Sequence, residues 1–165
     1  MGQLKRRLLY ASTLFFGTVV LDALTKALAE AHLRDGPIFL GADWLALRLA
    51  YNYGVAFSFF EGIPYWALGA GAIVLLAVVL WNLRALLQTR LGATALALVA
   101  AGGLSNAVDR LADGKVTDMI SVWLWPVFNV ADIAITVGVG LLLLGSRGGK
   151  TVPKEPAATE EGASS

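Results

Sequence analysis

The sequence predicts an all-α membrane protein with a small β element: four transmembrane helices, both termini cytoplasmic, and a strand-rich outer loop lying on the membrane. Three observations predict it. Of 165 residues 57% are hydrophobic and 15% charged, with mean hydropathy +0.68, outside the range of an ordinary soluble domain. Apolar runs of 17 to 22 residues recur at 8–29, 65–83, 91–108 and 128–144, close to the roughly 20 needed to cross a bilayer as a helix. Charge outside the runs is segregated. One side carries Lys5, Arg6, Arg7, Arg84, Arg90, Arg147, Lys150 and Lys154 against three glutamates, net +5; the other, counting the outer ends of the runs with Asp22, Lys26 and Asp132, carries five cations against nine acids, net −4. Positive loops stay cytoplasmic, which places both ends of the chain there.

The first run follows Lys5, Arg6 and Arg7 and ends in Ala27, Leu28 and Ala29, as a cleaved signal peptide would. Asp22 and Lys26 interrupt it before that cut, and three further spans follow, so it reads as a retained helix. Residues 30–64 form an outer loop with turn signals at Gly36-Pro37, Gly41, Gly54 and Gly62-Ile63-Pro64. Within it "WLALRLAYNYGVAFSFF" alternates and is aromatic, as short strands at a membrane interface would be. The third run carries Gly102-Gly103 with Ala97, Ala100 and Ala101, a thin face for close helix packing. Residues 1–146 make one transmembrane domain, and 147–165, rich in Gly, Pro, Glu, Ser and Thr, a disordered cytoplasmic tail.

With no cysteine and His32 as the only histidine, thiol chemistry and multi-histidine metal sites are excluded, and the net charge of +1 has no resemblance to a nucleic-acid surface. Chemistry falls to carboxylates, hydroxyls, lysine or arginine. Three polar stripes have helical spacing: Asp22, Thr25 and Lys26 in the first span, Asn106, Asp109 and Arg110 ending the third, and Asn129, Asp132 and Thr136 opening the fourth. Each has a structural explanation. Lys26 can snorkel, Asp109 and Arg110 can pair elsewhere, Asn129 can be a cap, and Asp132 can be an acid on the helix dipole. Alternation of the spans nevertheless puts all three stripes at one surface. Ionisable groups at membrane depth mark function by default.

Two carboxylates in reach of each other share a proton, so one can activate a water while the other protonates the carbonyl oxygen or leaving amine. Such a dyad needs no metal or other cofactor. Spacing leaves open whether Asp118 or Asp109 partners Asp132.

The segments "DALTK", "YNYGVAF", "GGLSNAVDR", "VTDMI" and "FNVAD", in that order from Asp22 onward, resemble those of lipoprotein signal peptidase, also called signal peptidase II, a bacterial membrane aspartyl protease family. The resemblance implies that Asp118 and Asp132 are the catalytic pair and that Asp22, Lys26, Asn52, Gly54, Asn106, Asp109, Arg110 and Asn129 shape or support the site. It also implies removal of signal peptides from diacylglyceryl-modified prolipoproteins, before the lipidated cysteine, at the outer face of the inner membrane. Membrane lipid and globomycin-type inhibitors are further expected partners. Val55 stands where the family usually has alanine. Three other readings compete: a metal-dependent phosphotransferase using Asp109, Asp113, Asp118 and Asp132 as ligands, a proton-relaying transport or assembly subunit, and a Ser-Lys protease pairing Lys26 with Ser58 or Ser105.

Overall fold

The structure, a computed structural model, describes residues 2–42, 44–53, 81 and 84–147. All but Trp81 of the second apolar run, together with Gly54, Val55, Ser58 and 148–165, lies outside the described residues.

Helix α1 (Gly2–His32) continues beyond its apolar run at both ends, because the flanking Lys, Arg, Glu and Ala residues are themselves good helix formers. At 1.5 Å per residue it is about 46 Å long. Its buried residues are Thr18, Asp22, Lys26 and Ala29, while Phe16, Val20, Leu21, Leu24 and Leu28 are exposed. That is the reverse of a helix on a water-soluble core, and it suits an apolar solvent outside and a polar interior.

Helix α2 (Arg90–Asp113) starts at Thr89, whose Oγ1 accepts from the Gly92 N–H at 3.0 Å. It stops at Gly114, which takes a left-handed φ of 70° and donates its N–H to the Arg110 carbonyl at 3.1 Å. Helices α1 and α2 run parallel. Arg7 donates to the Gln88 carbonyl and Tyr10 meets Thr94 at one end, while Lys26 reaches Asn106 at the other. Helix α3 (Val130–Arg147) packs antiparallel on α2 through small residues. A Cβ at Gly102 would run into the Ala131 carbonyl and stand 2.8 Å from Ile135 Cγ1; one at Gly138 would stand 2.7 Å from Val99 Cγ2. The thin face is therefore a packing face at Ala97, Ala101 and Gly102, whereas Ala100 and Gly103 point outward. Among the described residues, α1 and α2 are long and apolar enough to cross a bilayer, and Val130–Gly145 within α3 is apolar but shorter.

A three-stranded antiparallel sheet sits at the C-terminal end of α1 in the order β1 (Ile38–Ala42), β2 (Leu45–Asn52), β3 (Val116–Val122). The first two strands fall in the loop where strands were expected. The third was read only as the connection carrying Asp118. Its extended form depends on distant partners, with Ala50 opposite Asp118 and Tyr51 opposite Thr117. After β3 the chain turns at Trp123 (φ 41°) and folds back, so that Phe128 and Ile120 exchange N–H···O bonds of 2.8 and 3.0 Å. That return sets Asn129 beside Asp118. Ala29 and Leu33 of the α1 end pack with Met119, Leu47, Leu49 and Ile120 to hold sheet against helix.

Candidate active site

The return from β3 ends in the N-cap of α3. Asn129 Oδ1 accepts from the Asp132 N–H at 2.9 Å, and the Asp132 carboxylate reaches back to the Asn129 N–H at 3.3 Å, a reciprocal capping box. The Asn129 amide nitrogen remains free to act outward. It donates to Asp118 Oδ1 at 2.7 Å and to Asn106 Oδ1 at 3.2 Å. Asn106 Nδ2 in turn donates to Asp132 Oδ1 at 2.9 Å. Asp118 and Asp132, from a strand and a helix, are thus joined through one side chain that is 0% exposed.

Two further groups steady this junction from α1. Asp22, 1% exposed, accepts the Ala131 N–H on Oδ1 at 2.8 Å and pairs with Lys26 through Oδ2 at 2.6 Å. Lys26 also meets Asp109 at 2.7 Å and Asn106 Oδ1 at 3.2 Å. A buried cation held by two carboxylates and an amide satisfies its donors without water. Asn52, at the end of β2, hydrogen-bonds the Asp118 carboxyl. Burial, and secondarily the nearby charge of Asp132, push Asp118 up to about 6 from an ordinary aspartate value, against the opposing pull of the Asn129 and Asn52 hydrogen bonds and of Lys26.

A family model described as Signal peptidase (SPase) II matches residues 14–147. The chain belongs to the signal peptidase II family. A lipoprotein signal peptidase of Chlorobium luteolum is 36% identical over 147 residues, covering 81% of this chain and 88% of that protein. One of Sinorhizobium fredii is 40% identical over 131 residues, covering 76% and 79%. A bacterial membrane enzyme solved by the in meso method shares the fold with TM-score 0.71 at 23% identity, covering 88% of this chain and 93% of that one.

In this signal peptidase II chain the expected site residues Asp22, Lys26, Asn52, Asn106, Asp109, Asp118, Asn129 and Asp132 converge on one network. Arg110 donates to the Asn106 carbonyl of its own helix at 3.3 Å. Gly54 lies outside the described residues. Two members of the polar stripes stand apart: Thr25 bonds back to Leu21 and Asp22 carbonyls, and Thr136 is exposed. Sequence reasoning missed Glu30, which accepts from Tyr51 at 2.8 Å and Thr117 at 3.2 Å. Its signal was the i, i+4 spacing from Lys26, hidden because the span was ended at Ala29.

Among the described residues, no group of three or more His, Asp or Glu is placed to hold a metal ion, so the four aspartates of the phosphotransferase reading do not gather. Among the described residues Lys26 is taken up by Asp22, Asp109 and Asn106, with no hydrogen bond to Ser105; Ser58 lies outside them.

Proposed function

We propose that the chain is an aspartic endopeptidase of the signal peptidase II type. It removes signal peptides from diacylglyceryl-modified prolipoproteins, cutting before the lipidated cysteine, with Asp118 and Asp132 as the dyad. The observation that carries this reading is the buried Asn129, whose one side chain binds Asp118 and caps Asp132. Asp132 sits at the positive end of α3 and accepts from Asn106 Nδ2 and the Asn129 N–H. Asp118 is buried beside that charge, so the shared proton rests on Asp118. Water placed between the two gives its proton to Asp132 as its oxygen attacks the scissile carbonyl, and Asp118 protonates the carbonyl oxygen. Collapse of the tetrahedral species breaks the C–N bond, the amine leaves with a proton from the dyad, and acid and amine are the products.

The membrane arrangement we propose is four spans with both termini cytoplasmic and the site at the outer face of the inner membrane. Asn52 lies at the site end and Gln88 at the other, as a span between them requires. Arg7 and Arg90 share the end away from the site. Exposed Trp44, Trp123, Leu124 and Trp125 at the sheet's turns suit the lipid interface. A cavity of about 230 Å³ bordered by Trp125, Phe128, Asp132, Ile133, Thr136 and Val137 reaches Asp132 and offers an apolar wall to a lipid-bound substrate. Residues 1–146 would form this single unit, with 147–165 a tail; globomycin-type peptides would compete for the same site.

Asp118→Asn and Asp132→Asn, made separately, each insert normally and leave a diacylglyceryl-modified prolipoprotein uncut on a gel. Cleavage retained by either variant removes that residue from the dyad. Activity unchanged by chelators separates this mechanism from a metal-dependent one.

A further inference from the structure

Asp22, Lys26 and Glu30 are spaced four residues apart on α1, and each holds a different element. Asp22 caps α3 and Lys26 binds α2. Glu30 faces the sheet, where its two carboxylate oxygens take the Tyr51 hydroxyl of β2 at 2.8 Å and the Thr117 hydroxyl of β3 at 3.2 Å. Those two residues are directly opposite each other across the strand pair. Each immediately precedes a group that meets the dyad: Asn52 follows Tyr51, and Asp118 follows Thr117. Side chains alternate faces along a strand, so Tyr51 and Thr117 can point at Glu30 while Asn52 and Asp118 point into the network. The Lys115 ammonium, 3.4 Å from the Tyr51 ring centroid, covers the other side of that tyrosine. Glu30 also pairs with the exposed Arg34 at 3.1 Å, but that contact reaches only the turn just after α1 and holds nothing of the sheet.

We infer that Glu30 is a positioning residue, clamping the Tyr51–Thr117 pair to α1 so that Asn52 and Asp118 are delivered to Asp132 at fixed depth. This rests on the dyad reading above. The apolar packing of Ala29 and Leu33 and the Asn129 hydrogen bond to Asp118 also hold the sheet, and a shift of about 1 Å at a catalytic group can cost 10²-fold in rate. Glu30 touches neither reacting atom, so its loss acts on turnover rather than on substrate capture.

The test measures kcat and KM for a diacylglyceryl-modified prolipoprotein in detergent, with Glu30→Ala, Glu30→Gln and Arg34→Ala alongside Asp118→Asn. The expected result is a 10- to 100-fold loss of kcat in Glu30→Ala with KM within about twofold, substantial recovery in Glu30→Gln, which keeps an acceptor, and full activity in Arg34→Ala. Wild-type kcat in Glu30→Ala, or a rise in KM alone, overturns the assignment. Should Glu30→Ala fail to accumulate in membranes, the Tyr51→Phe/Thr117→Val double variant carries the same test, and wild-type kcat there is equally fatal. If Asp118→Asn cuts while Glu30→Ala does not, the dyad reading fails; if Asp118→Asn is dead and Glu30→Ala is fully active, the positioning role alone fails.

Discussion

Asn129 carries two roles that a single substitution can separate. Its Oδ1 caps α3, and its Nδ2 binds Asp118 at 2.7 Å. Serine is as good an N-cap as asparagine, so Asn129→Ser keeps an oxygen for the Asp132 N–H while losing the amide that reaches Asp118. Stability then changes by less than about 0.5 kcal/mol from the cap itself. With the proton on Asp118 the bond is to a neutral carboxyl, which contributes about 0.5–1.5 kcal/mol, and at 1.36 kcal/mol per tenfold its loss lowers kcat/KM by roughly 2- to 13-fold. Asn129→Ala loses both roles and adds about 1 kcal/mol of destabilisation to the same kinetic defect. Turnover of a diacylglyceryl-modified prolipoprotein gives the first quantity, and thermal unfolding in detergent the second. Wild-type turnover in Asn129→Ser would refute the reasoning, for Asn129 would then be a cap and nothing more.

Three other outcomes follow from the same geometry. Because Asp118 is raised to about 6 and must carry the proton, kcat/KM falls as pH rises through that value; Asn52→Ala removes a donor favouring the ionised form, so the limb moves upward by about one unit, and a downward shift would contradict the assignment. Lys26→Met leaves Asp22 and Asp109 without their cation and lowers stability by about 3–5 kcal/mol, while adding Asp22→Asn and Asp109→Asn, which keep their shapes, recovers part of the unfolding midpoint. Gly102→Ala forces α2 away from the Ala131 carbonyl at a cost of about 1–3 kcal/mol, whereas Gly103→Ala, facing outward, leaves the midpoint equal or higher; equal effects at the two positions would argue against the close α2–α3 approach.

The helical parts of the fold were legible because hydropathy and helical spacing are local signals. Asp22 with Lys26, Asn106 with Asp109, and Asn129 with Asp132 each show their shared face from spacing alone, and the structure joins all three stripes. Strand β3 was not legible: "VTDMISV" is short and holds an aspartate, and only pairing with β2, about 70 residues earlier, makes it extended. Glu30 was hidden for a related reason. Hydrophobicity ends at Ala29, but the helix continues to His32, so a residue counted as loop charge is one more turn of the polar face. Asp109 and Asp118, alike on spacing, differ in packing, with Asp109 on Lys26 and Asp118 on Asn129, and this difference supports the proposed pairing of Asp118 with Asp132. The cap offered as the structural explanation for Asn129 does not use up its side chain, because an asparagine has an acceptor for the cap and a donor left over, which reaches Asp118.

The Asp22–Lys26 contact also bears on how the protein enters its membrane. When α1 is threaded into lipid, α2 and α3 have not yet been synthesised, and a lone charge in an inserting helix costs up to about 2.5–3.5 kcal/mol, the figure for its centre. Placed one turn apart and 2.6 Å from each other, the two side chains cancel within a single helix, so that its apolar run 8–29 enters lipid with no net charge. Asp109 arrives later to a lysine already in place. The pairing thus lets α1 carry its polar face into lipid before the helices that later bind that face exist.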